Sequence, residues 1–368
     1  MFNVLFYKSD ENGKLHFSDS NLISLKNGDY KFYNKPIISF YNDLSSLADG
    51  KFMFYNCTAL TSFGSDLSSL TNGYSMFDNC YNLTEFDSDL SSLTKGYDMF
   101  SNCRNLKTFS SDLSSIINCE GMFSFCSNLT TFTSDLSSLT NGWGMFRGCS
   151  NLKTFSSDLS SLTDSGRMFE SCRNLTTFTS NLSSLTSGLY MFENCENLTS
   201  FTSDLSSLTN GYYMFYGCKL TTKSLMYIAE SINTVTNKPS IHIGIGNTTP
   251  TEEETELLTE IHNKGWQVYV NGDKNSNIFN PVALIPTDEE MPQIIPFYAK
   301  PEEVSEENAE YIGEDGKYYI ILGGQFIFVD DPETYGMFAS LEDAAANMRL
   351  TPYDKSSQNE ATEEIETA

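Results

Sequence analysis

Apolar residues recur along this chain at fixed places, neither at helical spacing nor in strict alternation. Met-Phe-x-x-Cys begins at Met53, Met76, Met99, Met122, Met145, Met168, Met191 and Met214, each step 23 residues with no insertion. Cys57, Cys80, Cys103, Cys126, Cys149, Cys172, Cys195 and Cys218 form one column. The leucines from Leu60 to Leu198 and the phenylalanines from Phe63 to Phe201 form two more. A degenerate copy, with Ile37, Phe40, Asp43, Leu44, Leu47 and Gly50, keeps the register upstream; Phe17 lies one period further, where the match slips by a residue. One such unit cannot bury its own apolar residues, but stacked units place like above like and build a continuous core. The short Leu-x-x-Phe segment with polar neighbours predicts a parallel strand in each coil. Strands about 4.8 Å apart make a rod of roughly 40–45 Å. The fold class expected is a repeat solenoid with parallel strands at a 23-residue period.

The polar columns carry expectations of their own. In Ser-Asp-Leu-Ser-Ser-Leu, the acids Asp66, Asp89, Asp112, Asp135, Asp158 and Asp204, with Asn181 in the seventh place, are suited to accept backbone N–H groups just ahead. A calcium ladder is the alternative, but one column offers too few oxygens. Asn82, Asn105, Asn128, Asn151, Asn174 and Asn197 predict an internal amide ladder; the Asn-x-Thr sequons among them follow from the repeat itself. The cysteines point one way in a stack, which suits free apolar fillers as structural core better than disulfides. Cys119 replaces a turn glycine, either by drift or as an exposed reactive thiol.

Both ends predict caps. Residues 1–29 read as an N-terminal β-hairpin, and 30–218 as the solenoid. Residues 219–272 read as α/β coils, with a helix over Thr222–Ser231, a strand at Ile241–Ile245, a capping box of Thr251 and Glu254, and a strand at Val268–Val270. His242 and His262 fall here, and structural roles suit both. Residues 273–297 form a linker. Residues 298–353 form a small α+β unit, where Gly323-Gly324 joins two apolar runs as a hairpin and a short helix starts at Ser340; docking on a partner or a second copy is expected there. Residues 354–368 read as a disordered acidic tail.

Composition narrows the function. The net charge is −26, of which residues 281–368, with 20 acidic and 4 basic residues, carry −16. That disfavours nucleic acid and anionic membranes. No apolar run spans a bilayer, and no export signal is read in the first residues. No phosphate loop, nucleophile–base pair or metal cluster appears, so an enzyme is not expected and no cofactor is assigned. The positions that vary among the repeats hold Tyr74, Tyr97, Arg104, Trp143, Arg147, Arg167, Arg173, Tyr190, Tyr212, Tyr213 and Tyr216. Aromatic residues and Arg are frequent recognition anchors, so these form the expected recognition surface. Thr131/Thr133, Thr154/Ser156, Thr177/Thr179 and Ser200/Thr202 form a second hydroxyl-bearing face, open to a glycan or ice reading that Glu85, Asp87 and the lysines interrupt.

The 23-residue Phe-x-x-Cys-x-x-Leu pattern of residues 30–218 resembles the BspA-type leucine-rich repeat, and Met-Phe-x-x-Cys is similar to repeats of mycoplasma-type surface proteins. Ser-Asp stands where that family often has an apolar residue and Pro. The resemblance implies binding of a host-surface protein or glycan. Leu220 to Gly272 is similar to tail-associated proteins of gut bacteriophages, which implies a virion component, assembled in the host cytoplasm and serving host attachment, with other virion proteins as partners. The alternative is a bacterial cell-surface or secreted adhesin; a homo-oligomer is a further expectation.

Overall fold

The computed structural model describes residues 22–271 throughout; outside them it describes strands 7–9, 15–17, 311–313, 318–322, 325–327 and 350–352. The chain divides into two units, Met1–Ala283 and Leu284–Ala368.

The first unit is the expected stack. Its coils carry β3 (Ile37–Phe40) and two-residue strands from β4 (Ser62–Phe63) and β5 (Glu85–Phe86) through β6 (Thr108–Phe109), β7 (Thr131–Phe132), β8 (Thr154–Phe155) and β9 (Thr177–Phe178) to β10 (Ser200–Phe201). Neighbours pair in parallel, with Phe40 opposite Phe63, Phe86 opposite Phe109 and Phe178 opposite Phe201. The phenylalanine points inward and its Thr or Ser neighbour outward, as the two-residue period of a strand requires.

The strands are short because backbone pairing is shared between two sides of each coil. On the strand side, N–H groups donate to the preceding coil, as from Lys107 to the Thr84 carbonyl. On the Met-Phe side they donate forward: Gly50, Phe52, Phe54 and Asn56 reach the carbonyls of Asn72, Tyr74, Met76 and Asp78. Tight i→i−3 bonds, such as Met53 N–H to Gly50 and Cys57 N–H to Phe54, fold the chain between these contacts.

The core is one cluster along the stack. Phe54, Phe77, Phe100, Phe123, Phe146, Phe169, Phe192 and Phe215 form a parallel ladder, with ring centroids 5.3 Å apart between Phe54 and Phe77 and 5.5 Å between Phe192 and Phe215. The strand phenylalanines meet it edge-on, as Phe86 meets Phe100 at 4.6 Å. Offset and edge-to-face rings satisfy the aromatic quadrupole. All nine cysteines are free and buried. The thiols of the repeat column donate to a Phe carbonyl of the preceding coil, Cys80 to Phe54 at 3.2 Å and Cys195 to Phe169 at 3.0 Å. Burial holds these thiols well above their ordinary pKa.

Details of three columns refine the expectation. Cys119 is fully buried with its Sγ 3.2 Å from the Met145 sulfur, so it is not an exposed thiol. The turn glycines explain why it fits: a Cβ at Gly50 would lie 2.7 Å from Met76 Sδ, and the polarizable Cys–Met contact takes that place. The asparagine ladder runs from Asn174 through Asn151, Asn128 and Asn105 to Asn82, with amide–carbonyl distances of 3.1–3.4 Å, and lies half-buried to exposed rather than inside. The rung at Asn197 donates to the Arg173 carbonyl instead. The Asp column accepts as expected, Asp66 Oδ1 from Ser68 N–H and Asp135 Oδ1 from Ser137 N–H, each at 2.8 Å.

β1 (Tyr7–Ser9) and β2 (Leu15–Phe17) form an antiparallel hairpin, and β2 pairs in parallel with β3. At the other end, β11 (Gly211–Leu220), β12 (Ser240–Ile245) and β13 (Gln267–Val270) form a parallel sheet. They are linked by α1 (Thr222–Ser231) and α2 (Glu252–Asn263). The Thr251–Glu254 capping box is present in both directions. Trp266 is buried and donates to the Asn233 carbonyl at 3.0 Å.

The second unit has an antiparallel sheet ordered β16 (Gln325–Ile327), β15 (Tyr318–Leu322), β14 (Tyr311–Gly313), β17 (Leu350–Pro352). Leu322 pairs with Gln325 across Gly323-Gly324. The linker at 273–297, the helix from Ser340 and the tail at 354–368 lie outside the described residues.

Candidate recognition surface

Each coil turns twice through the left-handed region between its turn glycine and its cysteine. The first such column is Tyr30, Phe52, Ser75, Asp98, Gly121, Gly144, Arg167, Tyr190 and Tyr213; the second is Asn34, Asn56, Asn79, Asn102, Phe125, Gly148, Ser171, Asn194 and Gly217. Non-glycine residues adopt this conformation at a cost. Here the forward hydrogen bonds of Phe52 and Asn56, and their equivalents, fix it in every coil. The second column is largely Asn and Gly, as αL geometry favours; the first is chemically unconstrained. This ridge is where the repeats differ.

Three kinds of side chain share the ridge. At its N-terminal end Tyr33 and Tyr55 stack at 5.0 Å, Tyr30 and Phe52 at 4.9 Å, and Tyr74 and Tyr97 at 6.0 Å. Desolvation is the main cause that pushes the Tyr55 phenol up to about 12.

The second kind is acidic. Asp78, Asp98 and Glu120 stand on three consecutive coils, with Asp164 beyond. Burial raises Asp78 to about 8, and Asp98 and Glu120 each to about 7; it raises Asp164 as well. No ion pair among the described residues includes them, and Asp78 Oδ1 is buried without a hydrogen-bond partner. Asn141 donates to Glu120 Oε1 at 2.9 Å.

The arginines interleave with these, Arg104 on the coil of Asp98 and Arg147 and Arg167 to either side of Asp164. Four of the chain's five arginines lie along this side of the stack. Arg104 covers Tyr81 at 5.1 Å, Arg147 covers Phe125 at 5.7 Å and Arg167 covers Tyr190 at 4.3 Å, geometry that attracts a cation to a ring face. Arg147 and Arg167 converge on buried Glu170, at 3.1 and 2.7 Å, and Arg173 pairs with Glu196 at 3.3 Å. Trp143 lies flat over Gly166, where a Cβ would come 1.8 Å from the ring; Phe125 covers Gly148 in the same manner.

Of the expected surface residues, Arg104 and Arg173 are exposed, and Tyr97, Trp143, Arg147, Arg167, Tyr190, Tyr212 and Tyr216 are half-buried. Tyr74 and Tyr213 are corrections: each is only 6% exposed and covers the core edge. Tyr213 N–H donates to His242 Nδ1 at 3.1 Å, and His242 is sandwiched between Tyr213 and Tyr269 at 4.2 and 4.5 Å. Burial lowers this imidazole to about 3, so it is a neutral structural acceptor. Tyr30, Tyr33, Phe52, Tyr55, Tyr81, Phe125 and the acidic strip were not among the expected residues. Aligning the variable positions column by column finds Asp78, Asp98, Glu120 and Phe125. The first coil hides its aromatics because Asn27 pairs with Asp49, 22 residues on.

Just ahead of the turn position of each coil, the Thr140, Thr163, Thr186 and Thr209 hydroxyls each donate one coil down the stack, at 2.9–3.2 Å. Among the described residues no helix is long and apolar enough to cross a membrane, and no group of three His, Cys, Asp or Glu could hold a metal.

Stacked coils with a uniform core and one variable ridge define a leucine-rich-repeat binding or structural protein. The BspA type leucine rich repeat region matches residues 25–141 and 119–238, in six copies. The chain belongs to that family. No curated protein matches it. Among solved structures it is similar to a leucine-rich repeat protein from Bacteroides ovatus, at 14% identity, over 73% of this chain and 99% of that one, with a TM-score of 0.20.

Proposed function

We propose that this is a non-enzymatic recognition protein that holds a macromolecular partner on the ridge between turn glycine and cysteine. One observation carries the reading. The core columns repeat almost unchanged, whereas aromatic, acidic and arginine residues interchange from coil to coil along the ridge. A purely structural rod has no need of that variation. Aromatic residues and arginines are also the side chains that most often anchor interfaces.

The finer setting is host attachment, either from a virion or from a bacterial surface. Family membership supports the surface setting; the virion setting rests on the sequence reading of residues 220–272 alone. Purified particles analysed by mass spectrometry contain this chain if the virion setting is right, and lack it otherwise.

The binding test is a comparison of faces. The full chain is labelled and its adhesion to intact host cells is measured by flow cytometry. Tyr33→Ala with Arg104→Ala and Arg173→Ala should abolish adhesion, while Thr131→Ala with Thr154→Ala and Thr177→Ala should leave it unchanged. The reverse result would assign binding to the hydroxyl-bearing strand face and favour a glycan.

A further inference from the structure

We propose that the cleft at the C-terminal end of the repeat stack binds an acidic monosaccharide, a pyranose bearing a carboxylate such as a uronic or sialic acid of a glycan; this goes beyond the ridge reading and stands without it. The cleft has a volume of about 500 Å³, the size of a small-ligand site. It opens where the 23-residue coils give way to the α/β coils. From Phe215 to Leu220 β11 advances five residues, while its partner β12 advances only two, from Ile243 to Ile245. The surplus of β11 parts from β12 there, so that Gly217 and Lys219 line the cleft from β11, and Gly246, Asn247 and Thr248 line it from the segment after β12. Asn271, just after β13, completes it. These are the carboxyl ends of three parallel strands, the edge at which α/β sheets commonly bind ligands.

Three observations select the ligand. The first is bare, fixed backbone. Gly246 adopts no left-handed φ, and a Cβ on it would meet nothing within 4 Å; packing does not require glycine there, and its absence of a side chain leaves room for close approach. Among the described residues no acceptor takes the N–H groups of Gly246, Asn247 and Thr248. Asn271 holds their segment in place: its Oδ1 accepts from the Ile245 N–H at 2.9 Å, and its amide donates to the Asn247 and Thr248 carbonyls. Donors fixed in advance lower the cost of binding. The second observation is charge. The chain has 48 acidic and 22 basic residues, yet the eleven residues lining the cleft include Lys219 and no carboxylate. Glu254, which meets Asn247 at 3.5 Å, is taken up by the Thr251 N–H at 2.9 Å. Backbone donors beside an ammonium suit a carboxylate. The third is polarity. Cys218 and Ile245 are each only 4% exposed, so the cleft has no apolar pocket for the last side chain of a peptide terminus. Asn194, Thr248 and the half-buried Tyr216 ring instead suit the hydroxyls and the apolar face of a pyranose.

The test titrates the full chain with methyl β-D-glucuronide and with the methyl glycoside of N-acetylneuraminic acid, read by saturation-transfer NMR. Methyl β-D-glucopyranoside is the neutral control, and sodium acetate controls for a bare anion. Expected is saturable binding of at least one acidic sugar, about tenfold or more tighter than of either control. Lys219→Gln should weaken it by about tenfold, and Lys219→Arg should retain it. Gly246→Val, which the open space accepts, should abolish it by obstructing the cleft. Lys223→Gln, on α1, and the triple variant Tyr33→Ala, Arg104→Ala, Arg173→Ala should leave it unchanged. Circular dichroism confirms that the variants are folded. No saturable binding of either acid, equal binding of the glucopyranoside or of acetate, or undiminished binding in Gly246→Val overturns the proposal. Loss of sugar binding in the triple variant overturns it too, whereas loss of cell adhesion there with sugar binding intact keeps the ridge and the cleft as separate sites.

Discussion

Replacing Asp78 by Asn should stabilise the solenoid at alkaline pH and leave it unchanged at acid pH. The Asp78 carboxyl is buried with one oxygen unpaired, and its pKa stands at about 8 against an ordinary 3.8. Well below 3.8 both folded and unfolded chains hold the proton, so the residue has no effect. Above 3.8 the unfolded chain ionises while the folded chain keeps its proton. Stability then falls by about 1.4 kcal/mol per pH unit until the folded carboxyl ionises too. The accumulated cost is on the order of 4–6 kcal/mol by pH 8. Asn has the same shape and no charge, so the variant escapes this cost. Because a stack opens locally, the assay is amide hydrogen exchange of the coils around residues 73–103, alongside the thermal midpoint, at about pH 4.5 and about pH 8. Protection should differ by no more than about 1 kcal/mol at the acid pH and by several kcal/mol, in favour of Asp78→Asn, at the alkaline one. An equal difference at both, or weaker protection of the variant at pH 8, would refute the argument that desolvation governs this carboxyl.

Other consequences follow from the same packing. His242, held at about 3 by burial, should make the C-terminal sheet lose stability as pH falls from about 6.5 toward 3; exchange at residues 241–245 should flatten across that range in His242→Phe. Ser65, Ser88, Ser111, Ser134, Ser157 and Ser203 bury hydroxyls without partners. Ser134→Ala should therefore stabilise the fold by about 1 kcal/mol, read as a raised unfolding midpoint, and a lowered midpoint would show the hydroxyl to be satisfied. Gly166→Ala should cost about 1–3 kcal/mol and shift the Trp143 emission to the red, because a Cβ displaces the indole. All nine thiols, Cys119 included, should resist an aromatic disulfide reagent until the chain unfolds.

The stacking of like on like was legible because Met53, Cys57, Leu60 and Phe63 recur without insertion. The C-terminal cap and the later hairpin were legible because Thr251 with Glu254, and Gly323-Gly324, are local signals. What the sequence reading missed depends on contacts between coils. Two residues per coil sit in the left-handed region, but hydrogen bonds from the next coil set the first of them, so Asp98, Arg167 and Tyr190 are tolerated there without a type preference. The orphaned serine hydroxyls and the thiol-to-carbonyl bonds require knowing which atom lies above which. Tyr74 and Tyr213 were read as surface because aromatic type alone does not say which way a ring leans. Conversely, the acidic strip is visible only when three coils are overlaid.

The interchangeable core has a genetic corollary. Every coil between Gly50 and Gly211 offers its neighbours the same Phe, Cys and Leu and the same backbone donors. Unequal crossing-over between copies of the encoding segment could add or remove whole coils, lengthening the rod in steps of about 4.8 Å. Neither terminal cap would have to change, and each new coil would bring its own ridge residues, so reach and specificity can drift without a new fold.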